Sequence, residues 1–319
     1  MSDKKIIVVF GATGIQGGSV ARSILNDPTA AQQFHVRAVT RDPSKPAAKA
    51  LADLGAELIK ANLEDKVSLR AAFQDAYGVF LLTTIFDTMD KTAETRQGKN
   101  AADVCKETGV KHLVFSSLPH VSKVTNGKLT KVVHFDSKAL VDEYIRELDI
   151  PHSILHVGTY IELLLGSLAP LSPENPSKYG FFFPEPASLE TEFPLIDPAQ
   201  DVGKFVKAIL LNPKESLGRK FNAYDRIYTV AEFVEILNKN GVDVVFQAID
   251  DATFRAGLAA QSLPDFWQES IVQVMQYAIT YGFFTGETQN EGHKLLTEPL
   301  TSLEDALKTS PVFAGLAKK

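Results

Sequence analysis

The chain has 319 residues, 45% of them hydrophobic and 23% charged, enough apolar side chain for one large or two modest cores, which excludes disordered and fibrous classes. A formal net charge of −6 leaves no basic footprint for neutralising phosphates and argues against direct nucleic-acid binding. The one cysteine, Cys105 in ADVCKETG, cannot form an internal disulfide or a thiolate metal site, and reads as a helical position in a protein of a reducing compartment.

The start, MSDKKIIVVF, runs straight into a strand without the three-part pattern of a signal peptide, and no apolar run approaches a membrane span. A cytoplasmic location, with the nucleus open as well, and no membrane association are the expectations. Lys5 to Phe10 is a short β-branched run, and GATGIQGG then leads into SVARSILND, apolar at helical spacing: strand, turn, helix. FHVRAVTR reads as a second strand, SKPAAKALADLG as a helix stopped by Gly55, AELIKAN as a third strand and LEDKVSLRAAFQDA as another helix. YGVFLLTT is almost continuously apolar, as a strand covered on both faces must be, and a long helix from about Ala93 to Thr108 follows it.

KHLVFSS supplies a fifth strand. A polar loop from Pro119 to Lys131, the helix HFDSKALVDEYIREL and the strand PHSILHVG complete an alternating series of six strands and five helices, the pattern of an open, doubly wound parallel sheet. After Gly158 the pattern breaks up. Pro170, Pro173, Pro176, Pro184, Pro186 and Pro194 predict loops and short strands of a smaller lobe around YGFFFP, where burial is the first explanation for Phe181 to Phe183, as it is for Trp267. DPAQDVGKFVKAILLN, opened by cap-competent Asp197 and Pro198, reads as a helix returning to the sheet, followed by a strand near RKFNAYD. YTVAEFVEILNKNG, PDFWQESIVQVMQYAITYG and TSLEDALKTS are further helices, the last with a capping arrangement from Thr301 to Glu304. The expected division is a Rossmann α/β domain over 1–158 and 195–229, with a smaller, discontinuous α+β lobe over 159–194 and 230–319.

Gly11, Gly14 and Gly17 form GxxGxxG between the first strand and its helix. There the first glycine permits a tight turn, the second lets backbone approach a pyrophosphate and the third lets helix and strand pack closely, so the motif predicts dinucleotide binding through Gly11, Ala12, Thr13, Gly14, Ile15, Gln16 and Gly17. The end of the second strand chooses the dinucleotide: an acid there accepts from a ribose 2′-OH, a cation pairs with a 2′-phosphate. Thr40-Arg41 and Lys45 point to NADP(H).

GATGIQGGSVARSIL, VTRDPSK, RQGKNAADVCKETGVKHLVFSSL and HFDSKALVDEYIRELDIPHSILHVGTYIELLL, with the later DPAQDVG and TSLEDAL, resemble the NmrA-like family of atypical short-chain dehydrogenase/reductases across nearly the whole chain. The resemblance implies a Rossmann domain, a small discontinuous lobe and a cofactor cleft between them. It also implies a phosphate and adenosine side at Gly11 to Gly17, Arg41, Lys45 and Asn62-Leu63, and a nicotinamide side at Thr83, Thr84, Lys138, Tyr160, Ile161 and Glu162, with Arg96 nearby. Two positions depart from the family: Leu163 stands where members often carry Asn, and Leu63 replaces a polar adenine neighbour.

Working short-chain dehydrogenases set Tyr and Lys four residues apart on one helix face. Here that spacing reads His134 to Lys138, so the lysine is present and the tyrosine is missing. His134 is the candidate general acid and Lys138 the candidate ribose ligand. Ser116 and Ser117 end the fifth strand where a polar substrate contact is expected. Neither HExxH, GxSxG nor GxxxxGK[ST] occurs, which argues against a metal site, a hydrolase triad and nucleotide hydrolysis. Two functions follow: a redox-sensing NADP(H)-binding regulator acting through a protein partner or a homodimer, with little or no catalysis, or an NADPH-dependent reductase of a small apolar carbonyl or enone.

Overall fold

Strands as apolar as those in the first half of this chain need cover on both faces, and the computed structural model, which describes residues 4–172, 174–261, 263–286 and 291–317, provides it. In chain order the first half runs β1 (Lys5–Val9), α1 (Ile15–Leu25), α2 (Pro28–Gln33), β2 (Phe34–Thr40), α3 (Pro46–Asp53), β3 (Glu57–Lys60), α4 (Lys66–Phe73), β4 (Ala76–Leu81), α5 (Lys91–Thr108), β5 (His112–Ser117), α6 (Val121–Val124), α7 (Val133–Glu147) and β6 (His152–Val157). The second half runs β7 (Thr159–Tyr160), α8 (Ile161–Gly166), β8 (Ala169–Ser172), β9 (Asn175–Pro184), β10 (Glu192–Ile196), α9 (Pro198–Leu211), α10 (Pro213–Ser216), β11 (Lys220–Ala223), β12 (Ile227–Thr229), α11 (Val230–Lys239), β13 (Asp243–Ile249), α12 (Asp251–Ala260), α13 (Asp265–Tyr281), α14 (Leu303–Thr309) and α15 (Pro311–Leu316).

Seven strands form one sheet in the order β11-β6-β5-β4-β1-β2-β3, all parallel. One face is covered by α1 and α9, whose Val20, Ile24, Phe205 and Ile209 pack with Ile7, Val9 and Phe80. The opposite face takes Leu69, Phe73, Ala101, Val104, Val141 and Ile145 from α4, α5 and α7. Burying one such side chain is worth roughly 1.5–3 kcal/mol, and the two layers close the sheet from solvent. Cys105 is one of these buried helix positions, its thiol pushed up by burial. Asp197 caps α9 through the amides of Ala199 and Gln200, as its position before Pro198 predicts.

The second lobe is built on β8, β9 and β13, with β7, β10 and β12 in a second small sheet. β13 joins β9 in parallel register, from Asp243 opposite Lys178 to Ile249 opposite Pro184. Its core gathers Leu165, Tyr179, Phe181, Phe183, Phe233 and Leu237.

Several elements differ from the sequence reading. α2, α8, β13 and α12 were not foreseen, because each is shorter than the window over which periodicity speaks or lies in a proline-broken stretch. The loop over 119–131 contains the single turn α6. Ser302, not Thr301, caps α14 by accepting from the Asp305 amide, while Thr301 donates from its amide and hydroxyl to the buried Asp201 of α9. That contact belongs to a stretch expected in the smaller lobe that packs on the sheet instead: Leu295, Leu296 and Leu300 join the α1/α9 core and Glu298 pairs with Lys207. Pro173, one of the expected breakers, lies outside the described residues.

The sheet holds two histidines that burial keeps neutral. His112 on β5 shares a 2.8 Å hydrogen bond with the Ser153 hydroxyl and is pushed down to about 4, by burial first and His152 second. Burial takes His156 on β6 down to about 3, with Lys220 a further cause. The unfolded chain therefore binds more protons than the native one below the ordinary histidine pKa of about 6.5. Stability is fully present above that value and falls as the pH drops towards 4, by about 3 kcal/mol for a group shifted as far as His112. Urea midpoints measured at half-unit steps from pH 8 to pH 4 should decline below pH 6.5; a flat profile would exclude the coupling.

Candidate functional site

The turn after β1 is shaped by backbone sterics. Gly11 adopts φ +60, and its carbonyl accepts the Gly14 amide at 2.8 Å. A Cβ on Gly17 would stand 2.3 Å from the carbonyl oxygens of both Phe10 and Gly11, so any side chain there pushes α1 off β1. α1 starts at Gly14 with no side-chain cap and no acid in its first turn, which leaves its leading N–H groups and the positive end of its dipole for an outside anion. β1 lies between β2 and β4, which lead to opposite halves of the sheet, and such a switch point opens a crevice at the strand ends.

A cleft of about 1580 Å³ fills that crevice and continues between the sheet and the second lobe. Its sheet-side lining includes Gly11, Thr13, Gly14, Ile15, Gln16 and Gly17 of the turn, Thr40 and Arg41 after β2, Asn62 and Leu63 after β3, and Thr83 and Thr84 after β4. Arg41 is 73% exposed in its side chain and donates to Asp87 at 3.0 Å. Four expected residues are not in the lining. Ala12 is buried in the α1/α9 core, Lys45 is the exposed residue preceding α3, Arg96 is engaged by Glu64 at 2.9 Å, and Ile161 points into the core of the second lobe.

Lys138, on α7, reaches the cleft edge already held. Its ammonium donates to the Thr83 carbonyl, to the Thr83 hydroxyl at 3.2 Å and to Glu94 Oε1 at 2.7 Å. Glu94, 0% exposed on α5, also accepts from Thr83 Oγ1 at 2.8 Å and, through its other oxygen, from Ser137. A buried carboxylate needs such company, because isolated charge in low dielectric is strongly unfavourable.

His134, one turn earlier, lines the cleft in a different state from that expected of an acid. Its ring packs against Trp267 at 5.0 Å and Phe135 at 4.8 Å, and Nδ1 lies 3.1 Å from the Ser270 hydroxyl. Burial, helped by the Lys138 charge, pushes it down to about 4. It is neutral at neutral pH and lacks the second ring proton that a general acid would donate, so the acid role read from HxxxK does not suit its surroundings.

A second chain of polar groups crosses the cleft floor. Ser116 donates to Gln16 Oε1 at 2.7 Å, and Gln16 Nε2 donates to the Tyr160 hydroxyl at 2.5 Å. Burial raises the Tyr160 pKa, keeping the phenol protonated with its oxygen already taken by an acceptor role. Ser117, Thr159 and Glu162 line the same region. Phe182 and Trp267 also face the cleft, whereas Phe181 and Phe183 are buried in the lobe core, Phe183 at the edge where that core meets the cleft, so the aromatic run divides between the two readings of it.

Sequence reasoning missed Glu94, Asp87 and the wall residues Phe86, Phe254 and Met275. Glu94 left a signal, since it sits on the face of α5 shared with small residues such as Gly98, Ala101 and Ala102, where a solvated acid has no place. Phe254 and Met275 had none, being brought to the cleft by the packing of the second lobe, while Phe86 and Asp87 follow the end of β4 and could have been sought there.

Strand order, glycine turn and interlobe cleft define a Rossmann-type α/β protein. The chain belongs to the NmrA-like family, which it matches over residues 3–306. It is 33% identical over 259 residues to the NmrA-like family domain-containing oxidoreductase hkm9 of Aspergillus hancockii, covering 77% of this chain and 76% of the relative. In fold it resembles NmrA, a negative transcriptional regulator solved in complex with NADP (TM-score 0.74, 22% identity, 95% and 94% of the two chains). It also resembles the NADPH-dependent quinone oxidoreductase QOR2 of Escherichia coli, solved with NADPH (TM-score 0.74, 23% identity, 94% and 98%).

The close approach at Gly17 yields a direct expectation. Gly17→Ala should lower folding stability by about 1–3 kcal/mol through forced separation of α1 and β1, read as a shift in urea midpoint. An unshifted midpoint would mean that the turn yields without strain.

Proposed function

We propose that this chain binds NADP(H) along the sheet side of the cleft and reduces an apolar, ring-bearing carbonyl or enone in its inner part. The observation that carries the reading is the continuity of the cleft from the glycine turn into a chamber walled by Phe135, Phe182, Phe254, Trp267 and Met275. A protein that only sensed its cofactor has no need of such a chamber, and the oxidoreductase naming of the Aspergillus hancockii relative agrees with the reading.

NADPH, when bound, supplies the hydride. The uncapped amides of α1 suit its pyrophosphate. Arg41 suits the 2′-phosphate, which would take it from Asp87. Lys138, at the cleft edge, would donate to the nicotinamide ribose by exchanging its longest bond, 3.2 Å to Thr83 Oγ1, for a ribose hydroxyl while Glu94 keeps it in place. Tyr160 holds the proton: its oxygen accepts from Gln16, which leaves the phenolic hydrogen for a substrate oxygen and fills the role of the tyrosine missing at position 134.

One contact favours the regulator as second reading. Phe86, beside Asp87, packs its ring 5.2 Å from Trp267 at the start of α13, so release of Asp87 from Arg41 by a 2′-phosphate is felt in the second lobe, where a protein partner or a second copy could read it.

Calorimetry should find that Arg41→Ala weakens NADPH about tenfold or more while changing NADH less than about threefold; equal losses would remove Arg41 from 2′-phosphate recognition. Against a panel of aromatic carbonyls, Tyr160→Phe should lower kcat about a hundredfold or more. Tight NADPH binding with no oxidation by any carbonyl would set the reductase aside in favour of the regulator.

A further inference from the structure

The second lobe sets a pair of helices against the cleft, and each turns a single face to it. α12 and the residue that ends it supply Phe254, Gly257, Leu258 and Gln261, spaced i, i+3, i+4 and i+7. α13 supplies Trp267, Ile271, Val274, Met275 and Ala278, a stripe about 16 Å long at the rise of an α-helix. Such a stripe ordinarily lies against a core. Ser270, Val272 and Tyr277, on the other faces of α13, are buried, whereas Trp267, Ile271, Val274 and Met275 are only half-buried, because what they face is the open cleft.

Charge is kept off this wall. Among the described residues the charged members of the lining are Arg41, Glu64, Asp87, Lys138 and Glu162, and none of them belongs to α12 or α13. The helices do carry charges, but Arg255 pairs with Asp251 and Glu269, and these three stay out of the lining. An ion brought here gives up its hydration without a counter-charge, whereas an uncharged chain gains from leaving water. Along α13 the wall also changes, from the indole of Trp267 to the aliphatic and thioether groups of Ile271, Val274, Met275 and Ala278, which offer no ring face for stacking and adapt to a flexible saturated chain.

Gly257 points the same way. Glycine is the poorest residue short of proline for a helix interior, yet Gly257 lies inside α12 with a right-handed helical backbone, and a Cβ added there would meet no described atom within 4 Å. Neither backbone nor packing calls for glycine at this position; the space in front of it is the cleft. Room exists beside a dinucleotide, since single-ligand pockets span about 300–1,000 Å³ and the cleft measures about 1580 Å³.

We infer that this face of the helix pair is a channel for an uncharged aliphatic tail, laid along α13 and given room by Gly257, carried by the molecule whose carbonyl or enone sits near Tyr160. This deepens the reductase reading by naming its substrate class, and rests on that reading only for the tail being part of a substrate.

The full chain, saturated with NADP⁺, is titrated calorimetrically with benzaldehydes bearing methyl, butyl, hexyl or octyl at the para position, and NADPH oxidation by the same series is followed separately. Each added methylene should tighten binding about two- to fourfold, and hexyl chains ending in carboxylate or trimethylammonium should lose most of that gain. Gly257→Leu should lower the ratio of hexyl to methyl affinity about tenfold or more, with a urea midpoint no lower than that of the unaltered protein. Equal affinity along the series in the unaltered protein overturns the inference, and this arm needs no variant. So does a terminal charge that leaves hexyl binding unchanged, or a Gly257→Leu protein with the ratio unaltered. Failure of the reductase reading looks different: no member of the series oxidises NADPH, while binding still tightens with chain length.

Discussion

The site depends on where the sheet reverses its winding. β1 is flanked by β2 and β4, and the chain leaves these two strands towards opposite edges, so no connection covers the end of β1. The crevice left there must be lined by whatever follows the strands: the glycine turn after β1, Thr40-Arg41 after β2, Asn62-Leu63 after β3, and Thr83-Thr84 after β4. Close contact of α1 with β1, possible only because Gly17 has no side chain, aims the helix N-terminus into that crevice. An uncapped helix N-terminus and a strand-end cation thus meet in one crevice through one topological fact.

Charge inside the crevice is managed by pairing. Lys138 without Glu94 would be a mobile cation at the cleft edge; with Glu94 and Thr83 it is a fixed donor whose charge is balanced from within the protein. Breaking such a buried pair by removing one partner is far more harmful than the pair is worth as a whole, which ties α5, α7 and the end of β4 to one geometry. The same burial disarms His134, so the position that holds tyrosine in working short-chain dehydrogenases has become part of an aromatic wall. Tyr160, arriving from the second lobe and joined to Ser116 through Gln16, restores a phenol to the cleft from another direction.

The second lobe contributes through contact, not through sequence adjacency. α13 brings Trp267 onto Phe86 and His134, and Ser270 onto His134, joining the segment after β4 to the second lobe. The stretch over 295–301 returns to α9, where Asp201 accepts from Thr301 and Lys207 pairs with Glu298. Chain that passes repeatedly between the lobes anchors both walls of the cleft.

What the sequence determined by itself was whatever local physics controls. The six alternating strands, the helices between them, the turn at Gly11 to Gly17 and the cap at Asp197 follow from periodicity, backbone sterics and donor geometry within a few residues, and all were legible. Position at a strand end was legible for Thr40 and Arg41, and the family resemblance supplied Asn62 and Thr83; all four fall in the cleft lining. Tertiary structure decided the rest. Glu94 is 44 residues from Lys138, and Asp87 is 46 from Arg41; no periodicity links them. The low pKa of His134 comes from its burial, and the surroundings of Glu162 from the packing of two lobes. These are properties of a low-dielectric, non-local environment, which exists only once distant segments have met.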